Sequence, residues 1–143
     1  MSSLVMALIL TLLVPAEKRI FSENEHVSVE MRYPSSVAIA TSLNLEFIFT
    51  PIEGIHVNTN PAFELKLEKN SSFEIVGAPQ LHKDKNGYLD TDHPVIFSVK
   101  AKAGTAAGKQ PLKGKLFYFF CSDKDGWCNR YSQSIEMAIN VIQ

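Results

Sequence analysis

An antiparallel β-sandwich is the fold class this sequence predicts, and three observations carry the prediction. Apolar and polar residues alternate with a period of two in segment after segment, as in strands with one face on a core and one in water. No window of helical length carries an apolar stripe of helical period. Clusters rich in Gly, Pro, Asn, Asp and Ser separate the alternating runs and read as turns.

The first element stands apart. "LVMALILTLLVPA", Leu4 to Ala16, is an apolar run followed by the charged Glu17, Lys18 and Arg19. It is too short to span a bilayer, which needs about 20 apolar residues. It fits the apolar part of a secretory signal, with Val14 and Ala16 as the small residues of a cleavage site. No Lys or Arg precedes it, so a first strand or helix of the fold is the other reading. The expected division is a signal peptide over residues 1–16 and one domain over residues 17–143.

The strands then follow in order. "HVSVEMR" places Val27, Val29 and Met31 on one face, and "LNLEFIF" does so with Leu43, Leu45, Phe47 and Phe49. "FELKLE" sets Phe63, Leu65 and Leu67 against Glu64, Lys66 and Glu68. "VIFSVKA" aligns Val95, Phe97 and Val99, and "SIEMAINV" aligns Ile135, Met137, Ile139 and Val141. The turns between them are "RYPSS", "TPIEG", "NTNP", "EKNSS", "KDKNG" and "KAGTAAGKQP". About seven or eight such strands make a sandwich of immunoglobulin-like size. A chain of 143 residues, 45% hydrophobic and 10% aromatic, is one domain with ample material for a core.

Composition also excludes partners. A net charge of -1 and a pI near 6.4, with no run of one sign, give no surface for nucleic acid or an anionic membrane. The longest stretch without strand character is residues 77–94, "GAPQLHKDKNGYLDTDHP", and a long loop on a compact scaffold is where function often sits. Within it Asp84, Asn86, Gly87 and Asp90 brush a calcium-loop pattern. His82 and His93 occupy the outer positions where acids are required, so calcium is not expected. His82, Asp92 and His93 match no zinc spacing, and no nucleophile elbow marks a hydrolase. "NSS" at Asn70 is a glycosylation acceptor only in a eukaryotic secreted chain. No metal and no cofactor are expected.

That leaves "FYFFCSDKDGWC", Phe117 to Cys128, which holds the only two cysteines, Cys121 and Cys128. "DKDG" suits a type I turn closed by a left-handed glycine, in a three-residue hairpin connection. The cysteines then sit nearly opposite each other, offset by a bulge, within the reach of a disulfide. Closing so short a loop removes about 2.5 kcal/mol of unfolded-chain entropy, which a well-cored domain does not need. Phe119 and Trp127 are placed to shield the sulfurs, with Tyr88 and His82 of the long loop as lids. A static staple and a reversible pair both remain open on these grounds.

Three segments carry a resemblance to a known family. They are "EGIHVNTNPAFELKLEKNSSFEIVGAPQ", "HPVIFSVKAKAGTAAGKQPLKGKLFYFFCSDKDGWC" and "SIEMAINV". Their markers are a Gly54–His56–Asn58 strand, a Gly114–Leu116–Tyr118 strand leading into a cysteine, a second cysteine after a short turn, and a closing alternating strand. In this order they resemble the N-terminal domain of the bacterial thiol:disulfide interchange protein DsbD, from about Glu53 to Val141. The resemblance implies an immunoglobulin-like domain outside the inner membrane, in the periplasm. It implies Cys121 and Cys128 as a redox pair, Cys128 forming the mixed disulfide and Cys121 resolving it. Implied partners are other exported thiol–disulfide proteins and a membrane electron donor; the domain is expected to be a monomer. Three departures stand out: the family has one residue fewer between the cysteines, "CNRYSQ" lacks its proline after the second cysteine, and Tyr88 is the only aromatic where its cap loop ends in a phenylalanine. The alternative is a non-enzymatic binding sandwich whose disulfide is structural.

Overall fold

The computed structural model describes residues 14–21 and 23–143, and among these it contains ten strands and no helix. They are β1 (Ala16–Phe21), β2 (Val27–Pro34), β3 (Ser36–Ala38), β4 (Ser42–Pro51), β5 (Ile55–Val57), β6 (Glu64–Leu67), β7 (Phe73–Gln80), β8 (Val95–Ala101), β9 (Gly108–Ser122) and β10 (Cys128–Ile142). One sheet has the order β1-β2-β4-β8-β7, the other β3-β10-β9-β5, with β6 also paired to β9. The two sheets pack face to face as a β-sandwich. The apolar leader expected up to Ala16 lies, through residue 13, outside the described residues. Ala16 itself opens β1 opposite Pro34 of β2.

The period-two pattern works as expected. Val27, Val29 and Met31 of β2, Leu43, Leu45, Phe47 and Phe49 of β4, and Val95, Phe97 and Val99 of β8 are all buried. From the facing sheet come Leu65 of β6, Leu112, Leu116, Tyr118 and Phe120 of β9, and Ile135, Met137, Ile139 and Val141 of β10. These inner faces interdigitate to form one core, the usual closure of two packed sheets. Tyr118 is 1% exposed, and its hydroxyl accepts a 3.0 Å hydrogen bond from Asn24 Nδ2. Burial pushes that phenol up to about 12.

Ten strands replace the seven or eight expected, for identifiable reasons. β3 is a three-residue strand that follows β2 after Ser35 and crosses to the other sheet, where it runs parallel to β10. The sandwich is therefore mixed at one edge. β7 runs to Gln80 through a register shift after Val76, so residues 77–80 belong to a strand and not to the long loop. The run "SIEMAINV" is part of a longer strand, β10, which starts at the second cysteine and pairs with β9 from Cys128↔Cys121 to Val141↔Gly108. β5 and β6 share the free edge of β9, β5 against Val57↔Phe120 and β6 against Leu65↔Leu116. No helix among the described residues is long and apolar enough to cross a membrane.

Candidate functional site

The site is built on the end of the β9–β10 hairpin. Alternation turns Leu116, Tyr118 and Phe120 into the core, so Phe117, Phe119 and Cys121 project from the outer face of the sheet. Across the ladder Cys128 faces Cys121 directly, with Cα atoms 4.1 Å apart, and the two form a disulfide. The expected bulge is absent. Ser122 and Trp127 close a four-residue connection, Asp123 to Gly126, in place of the three-residue one. The Ser122 amide donates to the Trp127 carbonyl (2.9 Å), and the Gly126 amide donates to the Ser122 carbonyl (3.1 Å). The Ser122 hydroxyl accepts from the Asp125 amide at 3.1 Å. Gly126 takes a left-handed φ of 73°, the conformation a glycine supplies without a steric cost.

The two cysteines differ in exposure. Cys121 is 5% exposed, whereas Cys128 is an exposed residue. β5 explains the difference, because His56 pairs with Cys121 in the register and its strand covers that side. Val57 between His56 and Asn58 is buried, so both polar side chains share the outer face with the cysteines. Asn58 Nδ2 donates to Cys121 Sγ at 3.2 Å. The His56 ring pairs with the Asp123 carboxylate at its Nδ1.

The long loop reaches this place. The Leu89 amide donates to the Val57 carbonyl at 2.9 Å, and the Thr59 hydroxyl donates to the Gly87 carbonyl at 2.6 Å. The Asp84 carboxylate accepts from the Asn86 and Tyr88 amides, at 2.8 and 3.0 Å, and so folds the tip back on itself. Tyr88 is thereby laid flat on His56, ring centroids 3.6 Å apart. The result is a shallow depression of 390 Å³ floored by the disulfide and walled by Tyr88, His56, Asn58 and Asp123. A larger groove of 620 Å³, lined in part by Arg19, Lys66 and Phe117, reaches neither cysteine.

Of the side chains singled out in the sequence, Cys121, Cys128 and Tyr88 meet here, and Phe119 lies on the same face one step along β9. Trp127 does not shield the sulfurs. It points to the inner side, packed edge-on to His26 (5.0 Å) and Phe120 (5.9 Å). It directly precedes Cys128, the first residue of β10, and neighbouring side chains of an extended backbone turn to opposite faces. His82 is no lid either, since its ring stacks on His93 at 4.1 Å. His93 also pairs with Asp90 at 3.0 Å, whose carboxyl is held below the usual range mainly by the Asp92 amide. No group of three or more metal-binding side chains occurs among the described residues.

His56, Asn58 and Asp123 were not identified as site residues in the sequence. The signal was present in part: His56 and Asn58 alternate with an apolar Val57, which fixes a shared face. What brings that face to the cysteines is β5–β9 pairing over more than sixty positions of chain, and no local pattern encodes it.

No family model and no curated protein matches the chain. Among solved structures it is similar to the GAE domain of yeast GGA1, with a TM-score of 0.46 and 16% identity, over 83% of this chain and 98% of that one.

Proposed function

We propose that this disulfide-bearing sandwich is an exported thiol–disulfide exchange domain, relaying electrons between periplasmic thiol proteins through a reversible Cys121–Cys128 bond. The observation that carries the proposal is the asymmetry of the pair. Cys128 is an exposed residue at the tip of a hairpin, and Cys121 is a buried one beside a hydrogen-bond donor. Exchange needs an accessible sulfur for attack and a stabilised leaving thiolate, and a stabilising cross-link needs neither. The resemblance to the DsbD N-terminal domain supports the same function. Tyr88 then takes the place of the family's cap phenylalanine, lying over His56 at the rim of the disulfide depression.

The test is to equilibrate the purified domain against glutathione mixtures and count free thiols. A potential between about -180 and -270 mV is expected of an exchange domain, and Cys121→Ser should trap partners as mixed disulfides on Cys128. A potential below about -300 mV, with nothing trapped, leaves a structural disulfide in a binding module.

A further inference from the structure

We propose that Asn58 is a catalytic residue of this exchange, holding the negative charge that develops on Cys121 when the disulfide opens. The inference rests on the exchange function above and assigns a role to a residue on another strand. Three features carry it. Asn58 Nδ2 lies 3.2 Å from Sγ of Cys121, a residue that is 5% exposed. The Asn58 backbone amide donates to the Phe119 carbonyl at 2.8 Å, which fixes where the side chain starts. The other end of the carboxamide, Oδ1, is buried with no hydrogen-bond partner among the described residues.

A disulfide sulfur is a weak acceptor, so in the oxidised protein this carboxamide makes a poor bond at one end and none at the other. Buried polar groups left in that condition are uncommon and call for an explanation. A thiolate changes the balance, because a hydrogen bond to an ionised acceptor is about twice as strong. Burial by itself disfavours the thiolate, and the Asn58 N–H opposes that penalty at the enclosed sulfur.

The step balances as follows. A thiolate of a partner dithiol attacks Sγ of the exposed residue Cys128, forming the mixed disulfide. The Cys121–Cys128 bond breaks, and its electron pair stays on Cys121 Sγ, facing Asn58 Nδ2. The partner's second thiol gives its proton to water and attacks the partner's own sulfur in the mixed disulfide, releasing Cys128 as a thiolate. The partner leaves as a disulfide, and the pair has gained two electrons. His56, Asp123 and Tyr88 are the titratable groups that share the depression with Cys121, and all three are present in every variant below.

The experiment follows the ultraviolet absorbance of the thiolate against pH in full-length Cys128→Ser protein, where Cys121 is the single thiol. Asn58→Ala should raise the midpoint by about one pH unit, a tenfold loss of thiolate at fixed pH. Asn58→Asp, close in shape, should raise it further, and it serves in place of the alanine variant if circular dichroism shows the latter unfolded. In Cys121→Ser protein, where Cys128 is the single thiol, Asn58→Ala should leave the midpoint unchanged. An unmoved Cys121 midpoint, or an equal shift at both cysteines, overturns the assignment. The titration requires no partner, so its failure is distinct from a failure of exchange, which is read from the potential.

Discussion

Reducing the Cys121–Cys128 bond should leave the domain folded, at a cost well below that of losing a disulfide from a small secreted scaffold. The cross-link joins residues with a sequence separation of 7, for which loop-closure entropy gives about 2.5 kcal/mol as the upper bound. Less than this is expected here, because the same hairpin is held without sulfur. Below the cysteines the β9–β10 ladder continues to Val141↔Gly108, and above them Ser122 anchors the turn by its amide, carbonyl and hydroxyl. We expect about 1–2 kcal/mol, read as the difference in urea unfolding free energy between the oxidised and the fully reduced protein at one pH. Comparing one chain in two redox states avoids the cavity that substituting the buried Cys121 would leave. A loss above about 4 kcal/mol, or a reduced protein without cooperative unfolding, would refute the reasoning and mark the bond as a structural requirement.

Further outcomes follow from other parts of the molecule. A Cβ on Gly114 would stand 2.3 Å from the Lys66 carbonyl oxygen, so Gly114→Ala must push β6 off β9 and should cost about 2–3 kcal/mol in urea unfolding. Tyr118, raised to about 12 in the fold, binds a proton that the unfolded chain releases near pH 10. Its contribution is complete below pH 10, and about 2 kcal/mol is lost as pH climbs to 12; Tyr118→Phe should abolish that slope. Tyr88→Ala removes the ring stacked on His56 and should speed reduction of the disulfide by glutathione several-fold, at a stability cost of about 1 kcal/mol.

The layers of this fold were legible because alternation is a local property. Val27 to Met31, Leu43 to Phe49 and Ile135 to Val141 each declare a buried face within a few residues, and each is buried. The cysteine pairing was legible for the same reason, since one turn sets the register of its own two arms. The failures begin where a distant part of the chain decides. β3 has only three residues and owes its existence to the edge of β10, and β5 owes its own to β9. Trp127 is a different kind of failure, because proximity in sequence to Cys128 suggested proximity in space. In a strand, adjacent side chains are the pair that cannot meet.

The direct opposition of Cys121 and Cys128 at the end of the two longest strands has a consequence for how the chain matures. A slip of one position would set Cys128 against Phe120 or Ser122 and would turn the two thiols to opposite faces of the ribbon. Of these three alignments, the native one alone puts the sulfurs on the same face. Oxidation of a newly made chain thus acts as a gauge of strand alignment, sealing hairpins that are correctly matched and leaving mismatched ones free to realign.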